Sequence, residues 1–413
     1  MHRDGRVQVF DQSSEPSTEP EHNNALWNWS RFSERNLVEI DEFRPHMALH
    51  NVYEGRSGRD GSLSAVTQDA VEDRLRGVLE ECDNLRLVEA LVDLDSAWAG
   101  LADDVLTYLN EECASAVVAT FANDWRYPLR EQLDENLFLA DPSGRDRTKI
   151  EARRRLNLAT AVTSLVEHSS VVVPLAMAAD TRQYGGVSGR SRGVSSNSEL
   201  VATASVVATA LEIAMSTYHR RDAPLDSLVE GVLPRTKLFA LTAEAPLSIS
   251  PLALTTASGS GSSMELLQWQ RRHSLLPHTR TSPAAAANSS SSSGGGARLR
   301  HLYLRGAFER WTMLEHALER IEDEQLVVQW NPQPLRPTAS APAVDAAAEL
   351  AQSPCVGAYL SRLASDVARC DRRVMFQYVD AGMNVDAITE MHAELHDLRD
   401  AYCGSSLSES ESE

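Results

Sequence analysis

The sequence predicts an α/β fold in which a doubly wound, mostly parallel sheet domain is followed by a second α/β domain and C-terminal helices. Helical and strand-like apolar patterns alternate from Ala70 to Phe121 and again from Ile150 to Leu241. Such alternation is typical of parallel sheets that are covered by helices. Further strand and helix patterns follow a low-complexity tract at 258–297. This tract therefore predicts a boundary between two domains.

The stretch from Ala70 to Phe121 predicts the first βαβ unit. Apolar residues at helical spacing predict a helix ending near Cys82, and Leu85–Val92 is typical of a strand buried on both faces. Helical spacing returns over Leu101–Leu109, and Ala116–Ala119 is strand-like again. A strand, a turn, a helix and a strand within about thirty residues predict two parallel neighbouring strands.

The other predicted elements follow the same two periodicities along the chain. They are a short strand at Arg6–Asp11, a loop at Asn51–Gly61, a helix at Ile150–His168 with its apolar residues on one side, a buried strand at Ser169–Ala176, a helix at Leu200–Met215 that is apolar on nearly all sides, strands at Thr236–Leu241, Arg298–Gly306 and Gln325–Trp330, and helices at Ala307–Ile321, Val356–Met375 and Asp386–Tyr402. A turn at Asp380–Gly382 separates the last two helices.

With 413 residues, the chain is long enough for two packed domains. We predict an irregular segment over 1–60, an N-terminal α/β domain over 61–242, a low-complexity linker over 258–297, a second α/β domain over 298–375, a C-terminal helix over 376–403 and an acidic tail over 404–413.

Charge and composition narrow the classes of partner. The formal net charge of −20 argues against non-specific binding to nucleic acid or to an anionic membrane. No run reaches the roughly 18 apolar residues of a transmembrane helix, and no signal or transit peptide is recognised. The five cysteines lack metal-ligand spacing, which predicts reduced thiols in an intracellular compartment.

The turn between the first two predicted strands has the location of a phosphate loop without its composition. A phosphate cradle needs several glycines and the positive end of a helix. This turn offers only Gly100, together with Asp93, Asp95, Ser96 and Trp98. Each carboxylate would repel a nearby phosphate by about 1 kcal/mol or more. We interpret this turn as a degenerate phosphate-loop position, with residual nucleotide binding as the alternative. Asp95 is the predicted N-cap of a helix starting near Ser96.

Two histidines in the last predicted helix have a metal-ligand spacing. His392 and His396 are four residues apart, so they lie on one helix face. In zinc proteases a glutamate directly follows the first histidine, whereas here Glu394 is two residues away and no third ligand is evident. We interpret the pair as a solvated helix face and predict no metal site.

Three further segments receive structural interpretations. The loop Gly185–Gly193 is rich in glycine and arginine but lacks the phosphate-loop pattern. His168, Ser169 and Ser170 lack the surroundings of a hydrolase nucleophile, so they predict a helix-to-strand junction. The Ser and Glu residues of 404–413 predict a solvated acidic tail, with an interaction tail as the alternative. No catalytic residue is predicted.

Several segments, taken in order, resemble the Misato family, which is tubulin-related and linked to mitochondrial distribution, inheritance and morphology. The matching segments are Trp29–Phe32, Glu80–Leu85, Leu91–Asp95 with Gly100, Leu156–Asn157 with Val173–Leu175, Ala202–Leu211, Leu302–Gly306, and Leu363–Val367 with Val379–Met383. The C-terminal pair of segments is the most specific. Arg31 departs from the acidic residue that the family has at that position.

The resemblance implies a tubulin-like fold and a non-enzymatic role in mitochondrial distribution, morphology and inheritance. It implies protein partners at mitochondria or the cytoskeleton, a chaperonin among them, and a location at the outer face of the mitochondrion and in the cytoplasm. No cofactor, nucleic-acid partner or transmembrane segment is expected. The alternatives are a filament or switch protein that binds guanine nucleotide (GTP), and an adaptor for chaperonin or spindle factors.

Two departures from the resemblance concern nucleotide chemistry. No tubulin-like first strand and first phosphate-contacting loop are recognised, so the N-terminus is expected to be shortened relative to the family. The segment Arg220–Pro234 has no match to the loop by which one tubulin subunit completes the hydrolytic site of its neighbour. Both departures favour the non-enzymatic interpretation over the GTP-binding one.

Overall fold

A computed structural model describes residues 38, 40, 51–56, 63–124, 145–176, 207–219, 225–244, 273–277, 299–305, 325–331 and 346–403. The elements are α1 (Ala65–Glu80), β1 (Leu87–Asp93), α2 (Trp98–Glu112), β2 (Val117–Asp124), α3 (Arg145–His168), β3 (Val171–Ala176), α4 (207–215), α5 (Asp226–Val229), β4 (Ala240–Glu244), β5 (His273–Ser274), β6 (Leu299–Arg305), β7 (Gln325–Asn331), β8 (Ala346–Ala351), α6 (Pro354–Ala368), α7 (Arg372–Asp380) and α8 (Ala387–Cys403), with a short 3-10 turn at Val52–Gly55.

Some predicted segments lie outside the described residues. They are the strand at Arg6–Asp11, the loop at Gly185–Gly193, the helix at Ala307–Ile321, the tail at 404–413 and the linker at 258–297 apart from residues 273–277. The described residues 273–277 contain β5 and the buried Leu275 and Leu276. The predicted domain boundaries stay predictions.

Strands β1, β2 and β3 form a parallel sheet in that order. Leu87 pairs with Val117 and Ala119 with Val171, so the three strands run side by side in register. The predicted βαβ unit is confirmed. The prediction that the first strand is buried on both faces is wrong, because β1 has one described neighbour and Leu91 is 66% exposed. Strand β2, which lies between two neighbours, is buried over nearly its whole length, and so is β3.

Helix α3 is the centre of the first layer. It packs on α2 and on the C-terminal helices α6, α7 and α8. The predicted helix is confirmed, and because neighbours surround it, most residues from Arg154 to Val166 are buried, beyond the apolar side that the sequence indicates. The described part of the next helix, α4, shows the reverse. Ala208 and Glu212 are exposed there, so the predicted all-round burial is wrong over 207–215.

The second sheet is mixed and has the strand order β5-β4-β8-β6-β7. Strands β6 and β7 are parallel, whereas β8 is antiparallel to β4 and β6. Among the described residues, a parallel bridge between Val172 and Leu238 connects the two sheets. The strand predicted at Thr236–Leu241 starts at Ala240 and belongs to the second sheet. Together the two sheets and their helices confirm the predicted α/β fold class.

The sequence patterns missed one strand and merged two helices into one. Strand β8 reads AAAELA, a composition that favours a helix, yet its small side chains are buried in the middle of the sheet. The predicted helix at Val356–Met375 is two helices, because Asp371 caps the second one by accepting a hydrogen bond from the Arg373 amide. The predicted turn before α8 is confirmed, with Gly382 at a φ of 97°. No helix in the described ranges combines the length and apolar character needed to cross a membrane.

Candidate functional site: the turn between β1 and α2

The turn after β1 is fixed by backbone contacts to the neighbouring strand. The Leu94 amide donates a hydrogen bond to the Asn123 carbonyl at 2.9 Å. Helix α2 starts at Trp98, and its N-cap residue, Ala97, makes no side-chain capping bond. The predicted helix start near Ser96 is confirmed to within two residues, whereas the predicted capping role of Asp95 is wrong. The Asp95 side chain instead forms an ion pair with Arg154.

A buried ionic cluster occupies the carboxyl ends of β1 and β2. Asp95 follows β1, Asp124 ends β2, and α3 brings the Arg154 guanidinium between them. Arg154 Nε lies 3.2 Å from Asp95 Oδ2, and Nη2 forms an ion pair with Asp124. Asp95 is 3% exposed and Arg154 is 8% exposed. The parallel strands set this arrangement, since their carboxyl ends meet at one edge of the sheet.

In this cluster the Arg154 guanidinium pairs with two buried carboxylates. Burial raises the pKa of Asp95 to about 7, although the attraction of Arg154 opposes this; the neighbouring Asp124 adds to the rise. Burial alone would lower the pKa of Arg154, yet the two carboxylates raise it above its usual value. With both carboxylates ionised the cluster carries a net negative charge, which explains why one of them holds a proton more readily.

A segment of residues 51–56, here called the 51–56 segment, covers the start of α2. Asn51 and Glu54 form a reciprocal capping box. The Val52 amide donates to Asn157 Oδ1 at 3.0 Å, and Asn157 Nδ2 donates to the Asp95 carbonyl at 2.9 Å. Through Asn157, α3 thus holds both the segment and the turn. The predicted loop at Asn51–Gly61 is a buried, ordered contact in its described part.

Two glycines allow backbone-to-backbone contact between the 51–56 segment and α2. A Cβ atom on Gly100 would lie 2.0 Å from the Val52 carbonyl oxygen, and one on Gly55 would lie 1.8 Å from the Ala97 carbonyl oxygen. Only residues without a side chain permit this approach. Gly100, the single glycine of the degenerate phosphate loop, therefore faces protein backbone.

An ionic contact and an aromatic contact also attach the 51–56 segment to the neighbouring helices. Arg56 Nη2 lies 2.7 Å from Asp103 Oδ2 on α2, and its guanidinium stands 4.6 Å from the centre of the Tyr53 ring. The Tyr53 ring meets the Tyr378 ring edge-on at 6.3 Å. Burial raises the pKa of Asp103, while Arg56 opposes this. The segment is therefore held to α2 and also to α7, which carries Tyr378.

The predicted phosphate-loop residues do not form a phosphate cradle. Asp95 contacts Arg154, Ser96 accepts a 3.4 Å hydrogen bond from the Trp98 amide, and Trp98 packs against an apolar cluster near α1. Asp93 ends β1 opposite Asn123. The Cβ side of Gly100 faces the Val52 carbonyl oxygen, and the buried carboxylates of this end of the sheet would repel a phosphate.

The predicted junction at His168 lies on the opposite end of α3. His168 Nε2 is 3.4 Å from Thr107 Oγ1 and 3.5 Å from Asp103 Oδ1. Ser169 Oγ is 2.7 Å from Thr120 Oγ1, and Ser170 Oγ accepts from the Val118 amide. Both serines thus bond to β2, while the imidazole bonds to α2. The interpretation as a helix-to-strand junction is confirmed.

Sequence reasoning missed Arg154, Asp124, Asn157 and the 51–56 segment. One signal was present for Arg154, because it shares a helix face with Leu158 and Leu165, which are both buried. A charge on a buried face needs a partner of opposite sign. No signal pointed to the 51–56 segment, since its partners lie far away in the sequence.

Comparison with known proteins agrees with this fold. Residues 27–217 match the tubulin domain family, and this range contains α1, α2, α3 and the parallel sheet. Protein dml-1 of Neurospora crassa is 24% identical over 157 residues, which are 37% of this chain and 27% of that protein. The match therefore spans about a quarter of the length of that relative. The predicted resemblance is confirmed, since the chain is similar to the tubulin domain family over this range and to a Misato-like relative.

Proposed function

We propose that this chain is a non-enzymatic, tubulin-like scaffold that acts through protein partners in mitochondrial distribution, morphology and inheritance. The observation that carries the proposal is the cluster of Asp95, Arg154 and Asp124 beneath the 51–56 segment. In a tubulin-like fold this end of the parallel sheet is where phosphate binding would be expected. Here side chains and backbone of the same chain fill that position.

The charges at the turn argue against a bound triphosphate. A phosphate site needs free N–H donors or a free cation, and the Arg154 guanidinium already pairs with two carboxylates. Removing Arg154 from them to bind phosphate would deprive both buried carboxylates of its positive charge, at a cost of several kcal/mol. A scaffold with a permanently filled site needs no nucleotide to hold its shape.

The mitochondrial part of the proposal is supported by the resemblance to the Misato family and by the similarity to Protein dml-1. We propose that the protein is located at the outer face of the mitochondrion and in the cytoplasm. Contact with the organelle would be made through protein partners at mitochondria or the cytoskeleton. Because the chain is acidic, we propose that these partners bind it through basic surfaces.

A titration with fluorescent guanine nucleotide tests the absence of nucleotide binding. We expect no saturable signal at micromolar protein, whereas tubulin under the same conditions provides a positive control. Saturable micromolar binding that is lost on Ser96→Tyr would overturn the proposal. It would favour the second candidate, a GTP-binding switch or filament protein, which the tubulin domain match supports.

Depletion of the protein in cells tests the mitochondrial role. We expect altered mitochondrial morphology and unequal partitioning at division, both restored by re-expression. Normal morphology and partitioning after depletion would contradict the proposal. A third candidate, an adaptor for chaperonin or spindle factors, predicts co-purification of those factors. Their capture by the full chain and loss on deletion of residues 404–413 would favour it.

A further inference from the structure

Two histidines on the outer side of α8 have neighbouring rings. The ring centroids of His392 and His396 are 4.6 Å apart, and the ring planes meet at 72°. Both side chains are half-buried. The next turns of the same helix are anchored, because Leu395 and Leu398 are buried against the rest of the fold. The helix therefore presents the two rings on a fixed backbone.

Both imidazoles are available as ligands within the part of the chain that the structure describes. None of the hydrogen bonds between described residues involves a ring nitrogen of His392 or His396, and their contact is with each other. A neutral imidazole has one nitrogen lone pair for a metal. Imidazole ligands suit copper, nickel and zinc.

The ring separation can be compared with the spacing that each coordination geometry requires. A metal–nitrogen bond of about 2.0–2.1 Å puts the metal about 3.2 Å from each ring centre. Two such rings are then about 4.5 Å apart at a right angle and about 5.2 Å apart at a tetrahedral angle. The observed 4.6 Å fits the right angle. Square-planar and tetragonal sites are typical of copper(II) and nickel(II).

Although the sequence alone favours a solvated helix face, we propose that His392 and His396 form a two-imidazole binding site for copper(II), with nickel(II) as the next best ion. This site is separate from the β1–α2 turn and goes beyond the proposed function. No group of three or more metal-ligating side chains occurs among the described residues. The nearby Asp400 is engaged by Arg399 at 2.8 and 2.6 Å. Water completes the coordination, so the ion exchanges readily.

Calorimetric titration of the full chain with copper(II) tests the site. Binding the second imidazole is an intramolecular step, so replacing one ring weakens the affinity by about a hundredfold. We expect this loss in His392→Gln and in His396→Gln, together with loss of the two-nitrogen pattern in the copper EPR spectrum. Unchanged affinity in either variant would overturn the proposal.

A matched control keeps twelve histidines but separates the pair. In the double variant His392→Gln with Thr389→His, the rings at 389 and 396 are about 10 Å apart along the helix axis. We expect this variant to bind copper as weakly as His392→Gln, while circular dichroism shows an unchanged helix content. Full affinity in the control, or zinc(II) binding as tight as copper(II), would contradict the right-angle site.

Discussion

Arg154 beside the first sheet and His301 within the second are both polar side chains inside the molecule, yet their surroundings differ. Arg154 contacts Asp95 and Asp124. His301 is fully buried near the rings of Phe239 and Tyr303, at 5.8 and 6.3 Å, and neither of its ring nitrogens has a hydrogen-bond partner in the described structure. A permanent charge is retained where partners surround it, whereas a titratable ring without partners stays neutral.

The two sites also respond to pH in opposite directions. Burial raises the pKa of Asp95 to about 7 and lowers the pKa of His301 to about 4. Burial disfavours the charged form in both cases, which means the proton is kept by the acid and lost by the base. Acidification therefore stabilises the fold through Asp95 and destabilises it through His301.

The largest effect is expected from Arg154→Met. The substitution keeps most of the side-chain volume but removes the guanidinium that pairs with the buried Asp95 and Asp124, which costs about 3–5 kcal/mol. Urea unfolding measures the loss. Arg155→Met is the matched control, because that side chain is 40% exposed and its ion pairs contribute little. A loss below 1 kcal/mol for Arg154→Met would contradict the role of the cluster.

Next in size is Gly100→Ala. The added methyl group meets the Val52 carbonyl oxygen, so the 51–56 segment has to move away from α2, at a cost of about 3 kcal/mol. Gly77→Ala is the control, since nothing lies within 4 Å of its Cβ position in α1. That variant is expected to gain about 0.5–1 kcal/mol. Similar unfolding midpoints for both variants would refute the close contact.

The pH dependence from Asp95 is a third test. Its folded pKa of about 7 is above the unfolded value of about 3.9, so the stability from its proton is complete below pH 4 and disappears as the pH rises through 7. From pH 8 to pH 5 the wild type should gain on the order of 2 kcal/mol relative to Asp95→Asn. Parallel stability profiles for the two proteins would contradict this.

The smallest effect is expected from His301→Leu. Replacing a buried ring that has no described partner should be neutral or stabilise the fold by about 1 kcal/mol. Tyr303→Phe, on the same strand, should instead cost about 1 kcal/mol, since the Tyr303 hydroxyl lies 3.0 Å from that of Tyr218. His301→Leu should also remove a loss of stability between pH 6.5 and pH 4. A clear destabilisation by His301→Leu would reveal a partner for the ring.

Local sequence patterns were sufficient to predict the strands of the first sheet. They failed where contacts with distant segments determine the structure. The runs of β1, β2 and β3 have strand composition and regular spacing, so their type and parallel order were predictable. Strand β8 was not, because AAAELA favours a helix and becomes a strand only between β4 and β6. The burial of α3 on all sides likewise depends on helices more than 180 residues later in the chain.

The candidate site shows the same division. The sequence by itself determined that the β1–α2 turn has one glycine and two carboxylates, and hence that it is a poor phosphate cradle. Only the tertiary structure decided what fills the position, because Arg154, Asn157 and Val52 reach it from other segments. Composition fixes which charges a turn carries, whereas the partners of those charges depend on which segments the fold brings within a few ångströms.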